Sequence, residues 1–195
     1  MFFEHCLYAR GMGASGHTGR SVDADQANAP IRLVPFAASF DRSAFDCGEQ
    51  AVNDWFRRQA GQSQRSNNTL TILAVQGARV VGFYASRVGT MEKGEVAEAF
   101  GVGRARYPMP AILLAQLGVD ARSQGRGLGV SLLVHALESF LTVADKVGVE
   151  VILVDALTTE LCAFYRKMGF RSLEDRHLRM FMPVKVLRAT FDAST

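Results

Sequence analysis

A glycine-rich hexapeptide near the middle of the chain has the residue types and spacing needed to bind a phosphate group. It reads Gln-Gly-Arg-Gly-Leu-Gly over residues 124–129, between a strand-like run and a helix-like pattern. At such a junction the first N–H groups of the helix and its dipole attract an anion, and glycines let the anion approach the backbone. The hexapeptide lacks the Lys-Ser/Thr pair of a P-loop and the third glycine of a dinucleotide-binding fold. On spacing alone it is therefore either a phosphate site or a tight turn.

The elements around the hexapeptide are predicted from apolar patterning. Residues Ile112 to Val119 form a strand-like run before it, and an apolar stripe at three- and four-residue steps after it predicts a long helix that ends at Gly148. The apolar run Val149 to Val154 predicts a buried strand parallel to the first, and Thr159 to Met168 a second, shorter helix. The hexapeptide thus lies in a strand-helix-strand-helix unit.

The remaining elements complete a mixed arrangement of strands and helices. Periodicity predicts a first strand at Ile31 to Phe36, a helix around Val52 to Ala60, a hairpin of Thr69 to Val75 with Arg79 to Val88, and a last strand at Leu178 to Val184. We therefore predict an α/β (α+β) fold with a mixed central sheet.

Composition limits the domain organisation and the kind of site. Residues 11–30 are rich in small and polar residues, so we predict a disordered leader at 1–30 and one domain at 31–195. The 3 cysteines and 4 histidines are scattered, which predicts neither a disulfide framework nor a metal site. Continuous apolar runs are far shorter than the roughly 20 residues of a membrane span. We expect a soluble, cytoplasmic protein without metal.

Two motifs in order give the hexapeptide a family context. Preceded by Val119 to Ser123 and followed downstream by Phe164 to Phe170, it resembles the pyrophosphate-binding motif of the GNAT superfamily of N-acetyltransferases. The resemblance implies acetyl-CoA as co-substrate and a GNAT fold, with a splayed parallel strand pair and helices on both faces of the sheet. It also implies that backbone groups of one strand pair with pantetheine while loop N–H groups hold the pyrophosphate. These candidate residues are Leu117, Val119, Gln124, Gly125, Arg126, Gly127, Leu128, Gly129 and Val130.

The same resemblance assigns a catalytic role to Tyr165, as the general acid that protonates the departing CoA thiolate. Without it, the Phe164-Tyr165 pair on a short helix would indicate ordinary core packing. Asp155, at the end of a predicted strand, either holds a substrate amine or caps the next helix, and we favour the cap. Cys47 has no histidine paired with it by motif, so we expect it to pack near a helix start.

Residues of the first helix and the hairpin narrow the resemblance to toxins of the TacT/AtaT type. They are Phe45 to Glu49, Asn53 to Phe56 and Val80 to Tyr84, and the approach to the cleft strand at Pro108 to Pro110 and the stretch Leu117 to Gly129 match as well. This resemblance implies acetylation of the α-amino group of aminoacyl-tRNA, a ribbon-helix-helix antitoxin as partner, operator DNA bound through that antitoxin, and a homodimer. A tRNA would require cationic side chains near the active site. The candidates are Arg57, Arg58, Arg65, Lys93, Arg104 and Arg106.

Two other functions are compatible with the same residues. A GNAT enzyme that acetylates a small amine or a protein amino terminus would be expected to have an acidic rather than a basic rim. The other is a catalytically silent CoA-binding partner of an antitoxin and DNA complex, against which the intact Tyr165 and Gly127 argue. We find no obvious general base, which agrees with an aminoacyl ester as acceptor, because its α-amine loses a proton more readily than a lysine does.

Overall fold

The computed structural model describes residues 29–193. Its strands are β1 (Ile31–Pro35), β2 (Leu70–Gln76), β3 (Arg79–Met91), β4 (Met109–Val119), β5 (Val151–Asp155), β6 (Arg171–Ser172) and β7 (Arg179–Pro183). Its α-helices are α1 (Gln50–Asp54), α2 (Ala60–Arg65), α3 (Lys93–Phe100), α4 (Leu128–Val147), α5 (Thr159–Lys167) and α6 (Val184–Asp192). A π-helical segment, Trp55–Gln59, connects α1 to α2. The predicted leader, 1–30, lies outside the described residues except for Ala29 and Pro30.

The strands form one mixed sheet with the hydrogen-bonded order β1-β2-β3-β4-β5-β7-β6. Strand β1 pairs with β2 antiparallel, and β7 pairs antiparallel with both β5 and β6. Between β4 and β5 the pairing is parallel, from Ala111 opposite Val151 to Leu114 opposite Val154. The predicted mixed sheet and its parallel pair are therefore confirmed, and β4 continues beyond the paired residues to Val119.

The described residues divide into two compact units. The first contains residues 29–84 and Leu117–Leu132, and the second contains Ala85–Gln116 and Leu133–Ala193. Aromatic rings form the centre of the first unit, where the ring centroids of Phe56 and Phe83 are 3.9 Å apart in a stacked arrangement. Phe45 meets both rings edge-on, at 4.8 and 5.5 Å. The helical stretch α1 to α2 places Phe56 there, as its spacing predicted.

A mainly aliphatic core stabilises the second unit. It is built from Met91, Val96, Met109, Ala111, Leu113, Val151, Leu153, Leu173 and Phe181. Strands β4 and β5 are buried along their paired residues, which explains why their sequences are continuous apolar runs instead of alternating ones. Partly buried Ala105 packs against this core and so anchors the chain between α3 and β4.

Helix α4 is the one described helix whose length and composition would allow it to cross a membrane. Its residues Leu132, Leu133 and Ala136 are fully buried within the protein. This apolar stripe of α4 therefore packs against the protein's own core. The helix ends at Gly148, where φ is +69°, as the sequence predicted.

Candidate active site

The glycine-rich hexapeptide forms the connection from β4 to α4. A 3₁₀ turn, Ala121–Ser123, follows the strand, and the helix begins at Leu128. Gly125 and Gly127 have φ values of +73° and +78°, a backbone conformation that residues with a Cβ rarely adopt. No atom lies within 4 Å of a Cβ built on either residue, so it is backbone conformation rather than lack of space that requires glycine here.

A buried aspartate, Asp120, stabilises the start of this loop. Asp120 is 1% exposed and accepts hydrogen bonds from Arg122 Nε at 2.8 Å and from Arg122 Nη2 at 2.9 Å. Burial acts to raise the pKa of Asp120, but the hydrogen bonds from Arg122 outweigh it and hold the pKa below its usual range. Asp120 is therefore an ionised anchor, a role that the sequence analysis missed.

The chain segment before α1 forms a second support for the loop. Gln124 Nε2 donates to the carbonyl oxygens of Cys47 at 2.9 Å and Val119 at 3.0 Å. The Ala121 N–H donates to the Asp46 carbonyl oxygen at 2.7 Å. The side chain of Asp46 is itself held by Asn53 Nδ2, at 2.7 Å. These contacts connect the segment around Asp46 and Asn53 to the glycine-rich loop.

The fastened loop has the chemistry of an anion site. The first N–H groups of a helix have no intrahelical acceptor, so those of Leu128, Gly129 and Val130 at the start of α4 are available to oxygen atoms of a ligand. The positive end of the helix dipole adds to the attraction. The glycine conformations and these donors fit the pyrophosphate of acetyl-CoA. The exposed side chains of Gln124 and Arg126 leave this edge of the loop open to solvent.

Replacing Gly127 with alanine is expected to raise the KM for acetyl-CoA about ten-fold, because a left-handed conformation costs a residue with a Cβ about 1–3 kcal/mol. Initial rates at varied acetyl-CoA concentration and calorimetric CoA binding would measure this. Gly148→Ala is the matched control, since Gly148 has a similar φ of +69° and open surroundings but follows the far end of α4. Equal KM values for the two variants would contradict a phosphate-binding role of Gly127.

Tyr165 lies on α5, almost fully buried between two aromatic rings. It is 6% exposed, and its ring meets Phe164 at 5.1 Å and Phe170 at 5.7 Å, both edge-on. Burial, with a smaller effect of Cys162, raises the pKa of Tyr165 to about 12. The phenol is therefore protonated at neutral pH and has a proton to donate, which a general acid requires.

Asp155 does not cap α5, so that part of the sequence interpretation is wrong. The cap is Thr158, whose Oγ1 accepts from the Leu161 N–H at 3.4 Å. The carboxylate of Asp155 instead accepts from Arg179 Nη1, at 3.1 and 3.2 Å. Asp155 and Arg179 are opposite each other in the antiparallel pairing of β5 with β7, which brings the two charges together.

The six predicted tRNA-binding cations differ in their surroundings. Arg57 is partly buried, and its guanidinium donates to the carbonyl oxygen of Phe45. Arg58 is exposed, with Asp54 3.7 Å away, and Arg104 pairs with Glu150. The others, Arg65, Lys93 and Arg106, are also exposed. Of the six, Arg57 is thus the one that is partly buried and bound to a backbone carbonyl oxygen, whereas Arg58 and Arg104 lie beside carboxylates.

The described residues hold neither an activated Cys47 thiolate nor a cluster of metal ligands. Half-buried Cys47 has its pKa raised by burial, so it is a thiol instead of a reactive thiolate at neutral pH. Among residues 29–193, no group of three or more His, Cys, Asp or Glu side chains is placed to hold a metal ion.

The sequence and the fold both match known acetyltransferases. Residues 67–172 match the family described as Acetyltransferase (GNAT) domain. The chain is 31% identical over 159 residues to “Probable toxin TacT” from Sinorhizobium fredii, covering 76% of this chain and 88% of that protein. It is 36% identical over 153 residues to the “tRNA-acetylating toxin” of Mycobacterium tuberculosis, covering 76% and 89%.

Two solved structures show the same fold at lower identity. AtaT complexed with acetyl-methionyl-tRNAfMet has a TM-score of 0.74 and 23% identity, covering 83% of this chain and 99% of that one. A tyrosine-to-phenylalanine variant of AtaT bound to the C-terminus of the antitoxin AtaR has a TM-score of 0.72 and 23% identity, covering 83% and 98%.

Proposed function

The chain belongs to the GNAT acetyltransferase family, and on that premise we propose that it transfers acetyl from acetyl-CoA to the α-amino group of aminoacyl-tRNA, thereby blocking translation as a toxin. The observation that carries the proposal is the 36% identity to a tRNA-acetylating toxin along 89% of that protein's length. The loop geometry and the buried phenol of Tyr165 support the chemistry.

In this proposal the two parts of the site have separate tasks. Acetyl-CoA supplies an acetyl group activated as a thioester. Backbone groups of Leu117 and Val119 pair with its pantetheine arm, and N–H groups from Gln124 to Val130 hold its pyrophosphate. Tyr165 holds a proton that passes to the CoA sulfur as the carbon–sulfur bond breaks. Binding and proton donation therefore depend on different residues and can be tested separately.

No strong base is needed for the acceptor. The attacking amine must be neutral, and the α-amine of an aminoacyl ester loses its proton more readily than a lysine side chain does. The amine forms a bond to the carbonyl carbon, and its surplus proton passes to solvent. An aminoacyl ester is thus a better acceptor for this site than a lysine of a protein would be.

We also assign partners and a compartment to the protein. Aminoacyl-tRNA is used in the cytoplasm, so we place the activity there. The complex of AtaT with the C-terminus of AtaR supports an antitoxin as partner, which we expect to be of the ribbon-helix-helix type. Contact with operator DNA would then be made through that antitoxin, and the toxin itself would be a homodimer.

The test of the proposed function is transfer of labelled acetyl from acetyl-CoA to a pool of charged tRNA. Deacylated tRNA and free small amines are the controls. We expect label on the aminoacyl group of charged tRNA only. Label on free amines with none on charged tRNA would favour the small-amine enzyme, and no transfer despite CoA binding would favour the silent partner.

Neutralising the exposed cations one at a time is expected to raise the KM for aminoacyl-tRNA a few-fold, and to reduce the dependence of log affinity on log salt by about one per phosphate contact. The variants are Arg58→Ala, Arg65→Ala, Lys93→Ala, Arg104→Ala and Arg106→Ala. Lys146→Ala, which removes an exposed lysine in the last turn of α4, is the control. Salt dependence unchanged in all five would place the RNA elsewhere on the protein.

A further inference from the structure

An exposed tyrosine between α3 and β4 has no role in the site described above. It belongs to the segment 101–108, which contains two arginines and no acidic residue. Two apolar side chains of this segment face solvent, Val102 at 83% exposure and Tyr107 at 67%. Burial of apolar surface therefore does not explain why an aromatic residue stands at position 107.

Contacts within the second unit hold the segment 101–108 in place just before Tyr107. Ala105 packs against the core of that unit, and Arg104 forms an ion pair with Glu150. The 3₁₀ turn Val102–Arg104 immediately precedes Ala105. Arg106 places its guanidinium carbon 5.6 Å from the centroid of the Tyr107 ring, within the range of a cation–π contact.

An exposed ring that has a guanidinium over one of its faces is suited to an unpaired nucleotide at the other face. The base can stack on the aromatic face, and the arginine can neutralise the adjoining phosphate. Resting on the proposed function for the class of substrate, we propose that Tyr107 is a stacking platform for an unpaired nucleotide of the RNA, with Arg106 binding the phosphate next to it.

The proposal is tested by binding of a deacylated RNA hairpin whose short unpaired 3′ end carries 2-aminopurine, a base whose fluorescence is quenched by stacking. The native protein is expected to quench the fluorescence. Tyr107→Ala should abolish quenching and weaken the Kd by about five- to a hundred-fold, whereas Tyr107→Phe and Tyr107→Trp should retain both. Val102→Ala, which removes another exposed apolar side chain of the segment, should behave like the native protein.

A kinetic measurement separates stacking from damage to the enzyme. Tyr107→Ala should raise the KM for aminoacyl-tRNA but leave acetylation of an amino-acid methyl ester unchanged. Unaltered RNA affinity and quenching in Tyr107→Ala would overturn the proposal, as would an equal loss with tRNA and ester. If the native protein acetylates the ester but no tRNA, the proposed function fails. The binding experiment with the RNA hairpin then still tests the proposal. Fluorescence quenching that depends on Tyr107 supports stacking, and no such quenching overturns the proposal.

Discussion

Replacing Tyr165 with phenylalanine is expected to lower the kcat for acetyl transfer to aminoacyl-tRNA by about 10²- to 10⁴-fold, the usual contribution of a positioned general acid. The ring contacts with Phe164 and Phe170 do not involve the hydroxyl, so the fold and the KM for acetyl-CoA should change little. Single-turnover and steady-state rates with labelled acetyl-CoA would measure the effect. Phe164→Leu, which alters the packing but keeps the phenol, should retain most of the activity.

The pH profile gives an independent check on the same residue. The protonated phenol is the active form, and burial raises its pKa from 10.0 to about 12. Since a raised pKa extends the protonated range upwards, ionisation of Tyr165 should not lower kcat until the pH approaches about 12. A loss of kcat centred near pH 10 that is absent from Tyr165→Phe would show a phenol with an ordinary pKa. Equal kcat values for the native protein and Tyr165→Phe would exclude the general-acid role.

The sequence predicted the centre of the fold well because its signals there are local. Gly148 and Gly169, with φ values of +69° and +93°, end two helices, and continuous apolar runs mark the buried parallel strands. Helices α3 and α6 were missed. A reciprocal capping box of Glu92 and Glu95 starts α3, while α6 follows directly on β7 and buries only Val184 and Leu187. Helix α3 has little apolar periodicity to detect, whereas α6 is amphipathic but continues without a break from an apolar strand.

Contacts between distant residues explain what the sequence could not predict about the site. Arg57 looked like a surface cation among its neighbours, but it reaches back 12 residues to the carbonyl oxygen of Phe45. Asp155 looked like a helix cap because it precedes α5, but strand pairing places it opposite Arg179, 24 residues away. Local spacing indicates which residue types are present, whereas pairing in the sheet decides which charges meet.

Arg179 lies between two carboxylates of the second unit, Glu95 and Asp155. It is 17% exposed, and its Nε lies 2.9 Å from Glu95 Oε1, the distance of an ion pair although the N–H is not directed at that oxygen. Its other nitrogens contact Asp155 and the carbonyl oxygen of Thr90 at 3.1 Å. Glu95 is 9% exposed, and its second cation, Arg176, is 63% exposed. Arg179 and Arg176 therefore both compensate this buried carboxylate, which also accepts a hydrogen bond from the Glu92 N–H.

Replacing Arg179 with methionine is expected to lower the free energy of unfolding by about 3–5 kcal/mol, because the buried Glu95 carboxylate would keep only the exposed Arg176 as a cation and Asp155 would lose its partner. Urea unfolding would measure the loss. Arg188→Met breaks the exposed pair with Asp145 and should change the free energy of unfolding little. In the double variant Glu95→Gln with Arg179→Met, position 95 no longer carries a charge that needs a cation. The loss of unfolding free energy should therefore be smaller than for Arg179→Met alone. A loss no greater than that of Arg188→Met would mean that water or Arg176 already compensates Glu95 and that Arg179 does not anchor the unit.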